Sequence, residues 1–261
     1  MSTPNGGTMI ISVVNFTRGR LEDVDVQRAI RAINRQIEGD FAPNWSFGAT
    51  LRLEGPVGTR PKKMALPEMR GDAVLYLWDR IDVSGADGYH DTNMRGIPYG
   101  VVYVDLARAL EEPWTVTFSH EALELVGDPQ ANLLAQGPRP KSSEGPRTRD
   151  TVYHWVEMCD AVQDEKYSID GVDVANFVLP LYFTRDEQAG GRNDFMGTRH
   201  HGKTLTSFGI NPGGYVGFFD PRKGRHGMHT QAWVDGRGKA RLATKRKAKT
   251  GRGSLRNQKR P

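Results

Sequence analysis

His120 and Glu124 stand four residues apart, with Glu121 between them, in the stretch Ser119-His120-Glu121-Ala122-Leu123-Glu124. On a helix, positions four apart share one face, one turn from each other. An imidazole and a carboxylate so placed can hold one divalent metal without bending the backbone. Glu121 projects about 100° round the helix from His120. In the His-Glu-x-x-His pattern that position carries the general base. Here the second His is replaced by Glu124. A carboxylate oxygen is an accepted zinc ligand at about 2.0–2.2 Å, so the replacement is chemically workable. It adds negative charge and makes the metal a weaker Lewis acid. Zinc, one ion per chain, is the expected cofactor; a His with carboxylates also suits other divalent ions.

A hydrolytic zinc takes three protein ligands and keeps a fourth position open. Four residues are candidates for the third ligand: Asp128 just past the helix end, Glu157 and Asp160 in Trp155-Val156-Glu157-Met158-Cys159-Asp160, and His154 close by. Short HExxE patterns also occur on amphipathic helices where both glutamates are solvated. Against that, Val116, Phe118, Leu123, Leu125 and Val126 flank the set with apolar side chains. For Glu157 and Asp160 the competing reading is a salt-bridged short helix; for Asp128 it is a brace on the turn. Cys159 reads as a buried, inert thiol. His90 lies in a glycine-rich loop before a strand, where it can contact substrate or, the favoured reading, simply sit on the surface. His200, His201, His226 and His229 fall in loop-like stretches without metal spacing. Tyr215, after Gly213-Gly214, can reach into a cleft and stabilise an oxyanion or simply pack.

Regular elements must position these groups. Met9–Phe16 is apolar and rich in β-branched residues, as a buried strand is. Asp23 or Asp25 can cap a helix to about Glu38, with Val26, Ile30, Ile33 and Ile37 on one face and Gly39 and Pro43 ending it. Phe47–Leu53 alternates as a strand. Gly55–Arg70 is a loop, Ala73–Trp78 a second buried strand, Gly85–Gly100 a glycine-rich connection, and Val101–Asp105 a third buried strand. The metal-bearing helix is expected over Thr115–Val126, capped by Thr115 or Thr117 and stopped by Gly127-Asp128-Pro129. Gln136–Asp150 is an exposed linker. Val152–Val162 is amphipathic, helix or strand. Tyr167–Phe183 is two strands about a turn at Asp170-Gly171, and Leu205–Phe219 two short apolar stretches about Pro-Gly-Gly. This order predicts a mixed α/β (α+β) fold with an active-site helix below the sheet. A domain over 1–221 comprises a sheet and helix part (1–129), the linker (136–150) and a smaller C-terminal part (151–221). A basic tail follows over 222–261.

The formal charge of +5 is unevenly spread. Eleven Lys or Arg and no Asp or Glu lie between residues 236 and 261, leaving 25 basic against 31 acidic side chains in the rest. Basic character is thus a property of the tail, led by Arg237, Lys239, Arg241, Lys245, Arg246, Lys247 and Lys249. Without interleaved aromatics it suits sequence-independent attraction to phosphates or to an acidic surface rather than base stacking. The competing reading is a solubilising tail. A single cysteine excludes an internal disulfide. The apolar runs are too short to span a bilayer, and Met1–Thr8 lacks the layout of a signal peptide. The expected location is cytoplasmic, or a virion if the chain is phage-encoded, with no membrane partner.

Ser119-His120-Glu121-x-x-Glu124-x-x-x-Asp128-Pro129, followed by Trp155-x-Glu157-x-x-Asp160, resembles zincin-like proteins of bacteria and phages. These carry an HE-x-x-E…DP helix and a later E-x-x-D segment. Gly88-Tyr89-His90-Asp91, Tyr167–Val172 and Asn176–Pro180 fit the same group, and the similarity covers roughly residues 70–183. The resemblance implies a zincin-like mixed sheet and a zinc-dependent metallopeptidase that hydrolyses peptide bonds through metal-activated water. By similarity to gluzincin ligand sets, Glu157 joins His120 and Glu124 as the third ligand, with Asp128 the alternative. Asp160 then holds His120 through its free ring nitrogen, Glu121 is the general base, and the strand near Pro98–Asp105 holds an extended peptide or protein substrate. The competing expectation is a non-catalytic structural or virion-associated protein that keeps the fold and binds nucleic acid or an assembly through its tail. A third makes the tail, as a nucleic-acid binder, the functional element.

Overall fold

Five strands, β1 (Met9–Phe16), β2 (Ala49–Glu54), β3 (Ala73–Trp78), β4 (Gly88–Thr92) and β5 (Pro98–Tyr103), form one sheet in the order β2-β1-β3-β5-β4. These come from a computed structural model that describes residues 8–55, 69–79, 88–140, 151–185 and 191–231. β1, β2, β3 and β5 run parallel, and β4 is antiparallel to β5 at the edge. Parallel strands are covered on both faces and so read as unbroken apolar runs. β3 shows why: Ala73, Leu75 and Leu77 enter one core, while Val74, Tyr76 and Trp78 enter another. Each fully buried Leu there contributes about 1.5–3 kcal/mol relative to exposure.

α1 (Asp23–Arg35) connects β1 to β2 and buries Val26, Ala29, Ile30 and Ile33 in the first core. Its N-cap is Glu22, without a side-chain cap, and Asp23 accepts a hydrogen bond from Asn15. Gly39 does not end the helix. The chain continues as a π-helical turn over Gln36–Phe41 and then α2 (Ala42–Trp45). Phe41, fully buried between Trp45 and Phe177, stabilises this continuation. The expected third strand lies three residues earlier than predicted, and Val104 already begins α3 (Val104–Ala109).

α4 (Trp114–Gly127) is buried from Val116 to its last residue. It packs on β4 and β5 on one side and on a hairpin, β8 (Lys166–Ile169) and β9 (Val172–Ala175), on the other. Ser119 and Thr115 fasten it there: Ser119 Oγ accepts from Ala175 N at 2.6 Å, and Thr115 Oγ1 donates to Asp173 O at 2.7 Å. Thr115 therefore does not cap the helix, whose N-cap is Pro113. The hairpin turns at Asp170-Gly171, both with positive φ, as a two-residue type I′ turn requires.

A second, antiparallel sheet joins β6 (Leu134–Pro138), β7 (Thr151–Trp155), β10 (Tyr215–Asp220) and β11 (Arg225–Thr230) in the order β11-β10-β7-β6. Two expectations change here. Part of the linker is strand β6, and the tail expected from residue 222 starts no earlier than 231, because β11 pairs with β10 along its whole length. The basic residues Arg237, Lys239, Arg241, Lys245, Arg246, Lys247 and Lys249 lie outside the described residues. The architecture is mixed α/β, of the α+β kind. No helix among the described residues is long and apolar enough to cross a membrane.

Candidate metal centre

α4 carries His120, Glu121 and Glu124 inside the protein, with 8%, 2% and 0% of their surfaces exposed. A helix buried on all sides is a core element, which excludes the reading of two solvated glutamates. His120 Nε2 is 3.0 Å from Glu124 Oε1 and 3.3 Å from Asp160 Oδ1. Asp160 opens a short 3-10 turn, Asp160–Val162, in the segment that leaves β7. That segment is tied to α4 by Cys159 N, which donates to Glu124 Oε1 at 3.4 Å. Tyr215 of β10 donates its hydroxyl to Asp160 Oδ1 and so fixes the carboxylate from the second sheet. That bond commits the hydroxyl to Asp160 rather than to an oxyanion.

The edge strand β4 brings His90 to the other side of Glu124. Its Nδ1 is 3.5 Å from Glu124 Oε2 and 3.9 Å from Glu121 Oε2, and its Nε2 is 3.7 Å from Glu157 Oε2. Gly88 opens the strand next to Glu121, where a Cβ would lie 2.6 Å from Glu121 Oε1. His90 is thus a core residue, not the surface residue its glycine-rich setting suggests. Nothing in Gly88–Thr92 alternates in polarity; the pairing with β5 makes it a strand. The one sequence signal was the Gly-Tyr-His-Asp string itself.

Two groups of three emerge, His120–Glu124–Asp160 and His90–Glu124–Glu157, each with donor atoms within 4.8 Å of one another. The expected set His120–Glu124–Glu157 is divided between them. Glu157 falls with His90. Asp160, expected on the free ring nitrogen of His120, instead faces the same Nε2 that Glu124 faces. Asp128 is in neither group; its Oδ2 accepts from Leu133 N at 2.8 Å and braces the turn after α4. His154 is also in neither; its Nε2 donates to the Pro138 carbonyl at 2.7 Å, and its ring lies on Phe208. Among the remaining histidines, His200 pairs with Glu165, and His226 of β11 stacks on Trp155.

Burial by itself disfavours a charged imidazole. At His120 that effect is outweighed by Glu124, Asp160 and Glu121, which hold its pKa well above the ordinary value. At His90, burial is outweighed by Glu157, Glu121 and Glu124, and the pKa is pushed up to about 10. Burial, reinforced by Glu124, Asp160 and the other carboxylates, raises the Cys159 thiol and leaves it an inert core residue. Carboxyl groups crowded together in a buried space, as Glu121, Glu124, Glu157 and Asp160 are, either share protons or take up a cation. Nitrogen and oxygen donors in this mixture suit zinc or manganese. The donor set therefore fits a divalent ion.

Beside Glu157 and Asp160 a small cleft is walled by Trp155, Tyr182, Phe183 and Val216. It supplies an apolar surface next to the acidic cluster. No protein-family model matches the chain, and no curated protein matches it.

Proposed function

We propose that this chain is a zincin-like metallopeptidase, using a divalent ion, zinc first among them, to hydrolyse peptide bonds. The observation that supports it is the convergence of Glu124 and Asp160 on one nitrogen of His120, with Glu121 the next residue along the same buried helix. A divalent ion held there supplies Lewis acidity and makes water nucleophilic near neutral pH. The chain's own residues do the rest. Glu121 takes the proton from the attacking water on a carboxylate oxygen and hands it to the leaving amine. Tyr215 keeps Asp160 aimed at His120. The peptide is held by an edge strand, and that strand is β4 rather than the Pro98–Tyr103 strand, since β5 is enclosed between β3 and β4.

The test is metal content by elemental mass spectrometry on protein purified without chelator or nickel, followed by a peptide-library assay. Metal in the wild type, lost in a His120→Ala/Glu124→Ala variant, supports the centre. Hydrolysis abolished in Glu121→Gln with metal retained supports the base. A chain that takes up no ion even when zinc is offered refutes the reading. The second reading, a non-catalytic protein that binds nucleic acid or an acidic assembly, is supported by the basic segment 236–261. It requires binding that falls steeply with salt and vanishes when that segment is removed.

A further inference from the structure

The two oxygens of Glu124 face different imidazoles. Oε1 lies toward His120 and Oε2 toward His90. We propose that the centre is dinuclear, with Glu124 bridging two divalent cations: one held by His120 and Asp160, the other by His90 and Glu157. This deepens the metal-dependent reading above and rests on it.

Distances around His90 carry the argument. Its side chain is fully buried, and neither ring nitrogen makes a hydrogen bond among the described residues. A buried imidazole without hydrogen bonds is costly unless something else satisfies it. The nearest carboxylate oxygens, at 3.5, 3.7 and 3.9 Å, are too far for N–H···O bonds, which close at about 2.7–3.2 Å. Two donors each about 2.0–2.2 Å from a tetrahedral ion stand roughly 3.3–3.6 Å apart. Glu124 Oε2 faces Nδ1 of His90 and Glu157 Oε2 faces its Nε2. One donor atom from each of the three lies within 4.8 Å of the others, so a small closure gathers them about one ion. The 3.3 Å from His120 to Asp160 already falls in the range of two ligands on one ion.

A carboxylate that gives one oxygen to each of two ions suits the spacing of about 3.5–4 Å found in two-metal hydrolytic sites. Such a pair clamps the attacking and the leaving atoms together.

The experiment uses the full chain, stripped with chelator, dialysed against Zn2+ or Mn2+ and counted by elemental mass spectrometry. Two ions per chain are expected in the wild type and one in His90→Gln. The manganese form is expected to give the electron paramagnetic resonance spectrum of a spin-coupled pair. One ion in the wild type, retained in His90→Gln, overturns the second site and leaves the mononuclear reading standing, with His90 an imidazolium counter-charge. One ion lost in His90→Gln overturns the pairing with His120. Two ions without spin coupling overturn the bridge. No ion at all overturns the metal-dependent reading as well. Should His90→Gln fail to fold, the wild-type count and spectrum still decide.

Discussion

Glu124 Oε1 and Asp160 Oδ1 approach the same nitrogen of His120, at 3.0 and 3.3 Å, from opposite ends of a 35-residue hydrogen-bonded tie between Glu124 and Cys159. Asp160 is therefore expected to be a ligand and Tyr215 the group that holds it. Asp160→Asn should weaken zinc binding at least 10-fold, and Tyr215→Phe about 10-fold, by titration calorimetry. An Asp160→Asn chain that binds zinc like the wild type refutes the assignment.

Gly88 sets the position of Glu121. A methyl group at residue 88 would lie 2.6 Å from Glu121 Oε1 and 2.7 Å from its Cγ. Glu121 is buried and has little room to retreat. Gly88→Ala is expected to lower turnover by up to about 100-fold while metal content stays at the wild-type level. Parallel loss of metal would mean that residue 88 supports the ligands rather than the base.

Metal removal should destabilise the fold. An ion present at a hundred times its dissociation constant stabilises the native state by about 2.7 kcal/mol. For a domain of this size that corresponds to a fall in melting temperature of roughly 5–11 °C on chelation. Equal melting of chelated and zinc-loaded protein would show that no ion is bound to the native state.

His154 provides a pH dependence separate from the metal. Burial lowers its pKa below 6.5, and the Pro138 carbonyl only partly offsets this. The unfolded chain thus binds a proton more readily than the native one. Stability contributed by neutral His154 is full above about pH 6.5 and is lost as pH falls from there toward the depressed folded pKa, at no more than about 1.4 kcal/mol per pH unit. Thermal melts at pH 7.5 and 5.0 should show a larger drop for wild type than for His154→Gln. An equal drop in both would assign the acid sensitivity to other groups.

Much of this arrangement was legible in the chain. β1, β3 and α1 announce themselves because their apolar pattern is the pattern of their burial. The spacing of His120, Glu121 and Glu124 placed them on one helix, and the apolar flanks of α4 placed that helix inside. What was not legible depends on distant pairing. β4 is a strand because β5 is beside it, so His90 carries no local mark of its burial. β11, Arg-His-Gly-Met-His-Thr, has the composition of a tail and becomes a strand only by pairing with β10. The exchange of places between Glu157 and Asp160 follows from the turn at Asp160–Val162, which no helical spacing describes. At Gln36–Phe41 a wider helical turn carries the chain through Gly39, and the enclosure of Phe41 by aromatic rings decides the matter.

His90 comes from the edge of the first sheet, His120 and Glu124 from a central helix, and Glu157 and Asp160 from the strand-to-turn segment that leaves the second sheet. Ions held by the two groups would act as removable staples between parts of the chain that are distant in sequence. In the unfolded polypeptide these donors are far apart, and gathering them costs loop-closure entropy. On the metal-dependent reading, capture of the ions and docking of the C-terminal sheet are expected to be one cooperative event. Starving the protein of metal during synthesis should leave that sheet, with its exposed strand edges, as the part first attacked by proteases.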